Sequence, residues 1–212
     1  MYHVINRSNS RVKIFADEKE YRLFETVLVE AKERVEMRIL GYCIMPNHWH
    51  LVLYPKSDGD LTKFMTWLTM THTQRQHAMK KTAGYGHLYQ GRYKSFPVET
   101  NEYLLHVLGY VERNPVRAKL VKRAEDWRWS SLWRRVSGSV DQKKLLAEWP
   151  TEAPKEYLEW INRKDDEENL LVMRESIKKN KPFGTEKWTR IFVEKFGLGP
   201  TLRGQGRPKK GS

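Results

Sequence analysis

Apolar and polar residues alternate over short runs in the first half of the chain, and between those runs apolar residues recur every three or four positions. Tyr2-His3-Val4-Ile5-Asn6 alternates as a strand does, and Arg7-Ser8-Asn9-Ser10-Arg11 follows as a polar turn. Asp17 suits an N-cap, and from there to about Glu36 the residues Tyr21, Phe24, Leu28 and Ala31 share one helical face. Met37 to Met45 reads as a second strand and His48 to Tyr54 as a third, with a tight connection through Pro46-Asn47 that predicts an antiparallel hairpin. Leu61 to Ala83 is a second helix with Leu61, Phe64, Met65 and Leu68 as its buried stripe. Gly84-Tyr85-Gly86-His87 ends it, and Leu88 to Val98 runs from a loop into a fourth strand. The order strand, helix, strand, strand, helix, strand predicts an α+β fold, a ferredoxin-like split βαβ sandwich.

Two features interrupt this apolar pattern. Alternate strand residues point to the same side, so His48 and His50 project together from one face while Trp49, Leu51 and Leu53 fill the other. In the helix from Asn101 to about Arg113, Leu104, Leu105, Val107, Leu108 and Val111 are the core residues, and His106, Tyr110 and Asn114 form a separate polar stripe at i, i+4, i+8. Read without a family, Tyr110 is a core or interface tyrosine, and Asn114 before Pro115 is the N-cap of a following helix; a cap and a ligand are not exclusive. The polar end of the second helix, from Thr71 to Lys81, reads as a solvated face or a phosphate track. Tyr89, Arg92, Tyr93, Lys94 and Phe96 interleave cations with aromatics, as base stacking requires and as any amphipathic strand also shows.

Composition then narrows the partners. Among 212 residues, 39 Lys and Arg against 26 Asp and Glu leave a formal charge of +13, which favours a polyanion such as nucleic acid. No run approaches the roughly 18 apolar residues of a membrane span, and Met1 to Arg7 lacks the apolar region of a signal peptide, so no membrane partner is expected. The single cysteine, Cys43, reads as a small core residue in a cytoplasmic protein. There is no Gly-x-x-x-x-Gly-Lys loop, and no nucleotide cofactor is expected.

The His48-Trp49-His50 run resembles the HUH motif, and Gly109-Tyr110-Val111-Glu112-Arg113-Asn114-Pro115 resembles the tyrosine motif of single-tyrosine HUH transposases. The opening Tyr2 to Arg7, the Gln90 to Phe96 segment and Trp127-Arg128-Trp129-Ser130-Ser131 are similar to REP-associated tyrosine transposases, which act on palindromic repeat DNA. The resemblance covers residues 1 to about 132. It implies an HUH endonuclease-type catalytic domain over 1–132, in which His48, His50 and Asn114 ligate one divalent ion, Mg²⁺ or Mn²⁺, and Tyr110 attacks a phosphodiester of single-stranded or hairpin DNA to give a 5′-phosphotyrosine. Related insertion-sequence transposases use glutamine where this chain has Asn114, which is shorter by one methylene but keeps the carboxamide oxygen. Arg7, Arg11, Arg75, Arg92, Lys94 and Arg117 are the candidate phosphate contacts.

Beyond Trp129 the sequence predicts a helical C-terminal module over 133–198, with segments at Asp141–Trp149, Lys155–Arg163, Asp166–Lys179 and Thr185–Phe196, and a basic tail over 199–212. The Gly206-Arg207-Pro208 of that tail resembles a minor-groove hook and equally fits a disordered basic end. The long module favours a monomer over a homodimer. Two alternatives to a nickase or strand transferase remain open. One is a non-catalytic basic nucleic-acid-binding module, and the other is a metal phosphodiesterase that uses water.

Overall fold

A computed structural model describes residues 1–9, 12–84, 86–163 and 166–202. Four strands, β1 (Tyr2–Arg7), β2 (Met37–Met45), β3 (His48–Pro55) and β4 (Lys94–Pro97), form one antiparallel sheet in the order β2-β3-β1-β4. Helices α1 (Glu18–Arg34) and α2 (Asp60–Lys80) are the crossovers, so the strand order is that of the expected split βαβ sandwich. Asp17 caps α1 by accepting from the Glu20 N–H.

Period-2 alternation assigns the two faces of the sheet. Val4, Trp49, Leu51 and Leu53 point towards α1 and α2 and join Phe24, Leu28, Phe64 and Leu68 in one core. Ile5, Cys43, Met45, Val52 and Phe96 point the other way and are covered by α3 (Glu102–Glu112) through Leu104, Val107, Leu108 and Val111. α3 lies close to β2: a Cβ on Gly41 would stand 2.5 Å from Cδ2 of Leu108, so only glycine admits the helix at this distance.

A short helix α4 (Asn114–Arg117) continues from α3, and its N-cap is Arg113 rather than Asn114. The reason is that Arg113 keeps right-handed helical dihedrals (φ −83°, ψ −6°), so the chain barely breaks between the two helices and Asn114 sits inside the second. The short helices α5 (Ser131–Ser137), α6 (Val140–Lys143) and α7 (Tyr157–Asn162) precede α8 (Glu167–Lys179) and α9 (Glu186–Lys195).

The stretch expected as a helix over Asp141–Trp149 is helical only in α6. Beyond it the chain serves a bulge in β2, where pairing with β3 shifts between Ile39 and Gly41. Ala147 donates its N–H to the Ile39 carbonyl, and the Leu40 carbonyl accepts from Arg135 and from the Trp149 indole at 2.8 Å. At the opposite edge Phe183 exchanges backbone hydrogen bonds with Pro97 and Glu99. Both edges are therefore partly covered by C-terminal residues, which blocks strand addition there.

Several polar residues are more buried than their sequence context implies. His72 and Gln76 in α2 are fully buried rather than solvated or aligned with phosphate. Gln76 donates to the Ile14 carbonyl, and the Tyr89 hydroxyl accepts from the Trp49 indole and meets Nδ1 of His72 at 2.6 Å. Tyr89 and Phe96 are consequently core residues and Tyr93 packs against the core, so of the two readings of this segment Tyr89 and Phe96 follow that of an amphipathic strand. Among the described residues no helix is long and apolar enough to cross a membrane.

Candidate active site

The histidine-bearing face of β3 opens into a cavity of about 780 Å³ lined by His48, His50, Tyr110 and Asn114. Strand, helix and helix start supply these four side chains, and local structure fixes each. The tight Pro46-Asn47 turn pairs Met45 with His48, which holds His48 at the strand mouth. His50 lies one pleat deeper, opposite Ile5 of β1 and Cys43 of β2, and is 1% exposed. The rings of His48 and His50 have centroids 5.1 Å apart and nearly perpendicular planes. The Tyr110 ring meets His50 edge-on at 5.8 Å.

Arg117 lies over the ring of that tyrosine, its guanidinium carbon 4.3 Å from the centroid, and it also donates to the Tyr110 carbonyl. It therefore clamps Tyr110 as much as it faces solvent. Burial first, and then the charges of Arg7 and Arg117, depress His48 to about 4. Burial depresses His50 further below the ordinary histidine value, with His3, His48, Arg117 and Arg7 adding to it. Both rings are neutral at physiological pH, the form in which imidazole offers a lone pair.

His3 is the residue that the pattern did not single out. It is fully buried on β1, and its Nε2 meets Nδ1 of His50 at 2.8 Å; burial pushes it down to about 3. A histidine where strand alternation calls for an apolar residue was the available signal. Asn47 likewise meets Nδ1 of His48, at 2.7 Å, through its carbonyl oxygen.

Cations ring the cavity. Arg7, Arg92 and Lys94, three of the candidate phosphate contacts, line it, joined by Arg174 and Lys178 from α8, one helical turn apart. Among the described residues none of these five is held in an ion pair. α8 buries Met173 and Ile177 in the core beneath α3, which turns the two cations towards the cavity. Nothing in the α8 sequence distinguishes them from solvated residues, because their role depends on where α8 docks. Arg75 is not at this site: it pairs with Glu30 at 2.8 Å on the α1–α2 side of the sheet. Arg11 and the Gly206-Arg207-Pro208 tail lie outside the described residues.

A sheet whose inner strand carries two histidines, faced by a helical tyrosine across a cation-rimmed cavity, defines a class suited to handling a phosphodiester. Residues 1–114 match the family described as Transposase IS200 like, and the chain belongs to that family of DNA transposases. It is 23% identical over 137 residues to a REP-associated tyrosine transposase of Escherichia coli strain K12, covering 64% of this chain and 78% of the relative. A solved structure of a REP-associated tyrosine transposase bound to a REP hairpin shares the fold at a TM-score of 0.56 and 17% identity, covering 78% of this chain and 84% of the other.

Proposed function

We propose that this chain cleaves and rejoins single-stranded DNA beside a folded hairpin, with Tyr110 as nucleophile. The observation that carries the reading is that His48, His50, Tyr110 and Asn114 line one cavity rimmed by five cations. The hairpin as substrate is drawn from the relative solved with a REP hairpin.

The donor set fits a divalent ion. Among the described residues no three His, Cys, Asp or Glu side chains form a ligand group, so a third donor would be of another kind, and Asn114, whose carboxamide oxygen can ligate, lines the same cavity. The Asn47 carbonyl oxygen can only accept, which puts the His48 proton on Nδ1 and leaves Nε2 as the donor atom. His50 is ligand-ready in the same way when its Nδ1–H donates to Nε2 of His3. Mg²⁺ or Mn²⁺ held there supplies charge neutralisation for the phosphate oxygens.

The chain's own residues perform the rest. Arg7, Arg92, Lys94, Arg174 and Lys178 draw the strand in and hold its phosphates. Arg117 and the His50 ring both pack on the Tyr110 ring, which restricts the freedom with which its hydroxyl is presented. The Tyr110 oxygen bonds to phosphorus and loses its proton to solvent, while the bond to the 3′ oxygen breaks and that oxygen takes up a proton. The product is a 5′-phosphotyrosine and a 3′-hydroxyl, and because one phosphodiester is exchanged for another, rejoining needs no ATP.

The test is a nicking assay on labelled hairpin DNA with single-stranded flanks. Wild type cuts in Mn²⁺ or Mg²⁺ and not in EDTA, whereas Tyr110→Phe binds with nearly unchanged affinity and cuts at least about a thousandfold more slowly. Equal cutting by Tyr110→Phe would sink the tyrosine mechanism.

A further inference from the structure

A second cavity, of about 320 Å³, lies on the other flank of Tyr110 between α3, α7 and α8. Its walls include His106 and Gly109 of α3, Trp160 of α7, and Asn169, Leu170 and Met173 of α8. Trp160 lies directly on α3: a Cβ at Gly109 would be 2.8 Å from its Cη2, and its ring centroid is 6.3 Å from that of His106. The glycine beside the tyrosine therefore makes room for an indole, and the half-buried indole forms an aromatic wall next to Tyr110.

We infer that this cavity receives the base of the nucleotide adjoining the scissile phosphate, an inference that rests on the proposed function. A strand whose phosphate reaches Tyr110 must place its neighbouring base within a short distance of that residue, and Tyr110 is common to both cavities. Bases of a single strand bind by stacking on aromatic faces, and Tyr89 and Phe96 are buried in the core and do not offer one. Trp160 and His106 supply the faces, with Leu170 and Met173 as an apolar floor. The Asn169 amide group gives a polar edge; its Nδ2 donates to Asp166 at 2.9 Å, which orients the carboxamide. The volume is at the small end of ligand cavities and suits one base rather than a duplex. α8 then serves the strand twice, with Arg174 and Lys178 along the phosphates of the first cavity and Asn169 to Met173 beside the base in the second.

The experiment compares binding of one hairpin DNA with and without its single-stranded flanks to wild type, Trp160→Ala and Trp160→Phe, with a parallel assay for the covalent adduct of wild type. Trp160→Ala should weaken binding of the flanked DNA by about tenfold or more and leave the bare hairpin unaffected, while Trp160→Phe, which keeps an aromatic face, stays within about threefold of wild type. In the same complexes, 5-iodouracil at the flank position next to the cut should photocrosslink to the peptide holding Trp160. Equal loss on both DNAs, no loss on either, or crosslinks that avoid the Trp160 and His106 peptides at every flank position would overturn the assignment. An adduct forming in wild type without a flank-specific effect sinks the base pocket alone. A wild type that forms no adduct sinks the parent reading with it.

Discussion

His3 and His50 meet through one hydrogen bond, and the ring that donates decides whether Nε2 of His50 carries a lone pair or a proton. Because both rings are buried on the sheet face under α3, neither can turn to solvent for another partner. At the proposed metal site His3 would position the donor atom of His50 without lining the cavity itself, and Asn47 would do the same for His48. Replacing His3 by Phe removes the hydrogen-bond partner of His50 Nδ1 and should weaken Mn²⁺ binding by about 10- to 100-fold. Calorimetric titration of Mn²⁺ in the absence of DNA reads this directly, and an unchanged affinity in a folded variant would contradict it. At this scale the sequence is informative wherever a residue breaks its pattern. His48 and His50 stand out as polar residues on an apolar strand, and Tyr110 and Asn114 as a stripe on an apolar helix. His3 breaks the same pattern, but its role stays hidden because its partner is 47 positions away in the chain.

Among the elements, α3 is the one on which the site's alignment depends, and Glu112 anchors it. This fully buried carboxylate accepts from Ser131 at 2.6 Å and Tyr157 at 2.8 Å, linking α3 to α5 and α7. Burial raises its pKa against the opposing effect of those two hydrogen bonds and Arg135. A carboxyl whose folded pKa is raised holds its proton more tightly in the folded state, so stability falls as pH rises from the ordinary carboxylate range through the raised value. Glu112→Gln should flatten that part of the pH–stability curve, whereas Glu112→Ala leaves the Tyr157 hydroxyl without its acceptor, while Ser131 can still turn to the Tyr42 carbonyl, and should cost about 1–3 kcal/mol in urea melts. A Glu112→Gln curve with the wild-type slope would refute the assignment. α8 carries the second element-scale expectation. Arg174→Ala with Lys178→Ala should weaken single-strand binding and lower the slope of log K against log salt by about 0.7 for each phosphate no longer neutralised, as measured by anisotropy across a salt series. An unchanged slope would remove both residues from the strand path. The helices and strands themselves are legible from periodicity, because their apolar stripes face one sheet. The route of residues 145–149 along the β2 bulge is not, since it answers a backbone carbonyl at Leu40 that no side-chain pattern reveals.

For the molecule as a whole, a charge of +13 says only that a polyanion is welcome. The fold decides which cations count. Arg75 is drawn to Glu30 on the far side of the sheet, while Arg174 and Lys178, remote in sequence, arrive beside Tyr110. Tyr89 and Phe96 have the composition of a base platform and are taken by the core instead, leaving Trp160 as the aromatic surface next to the tyrosine. Such exchanges depend on tertiary packing and so lie beyond local pattern. Both cavities meet at Tyr110, which on the proposed function becomes covalently joined to DNA. The most direct measurement is mass spectrometry of the protein digested after incubation with Mn²⁺ and a flanked hairpin. A nucleotide-bearing phosphate is expected on the peptide that contains Tyr110 and on no other tyrosine, absent in EDTA. Cleaved DNA with every tyrosine unmodified, or an adduct on a different tyrosine, would contradict it.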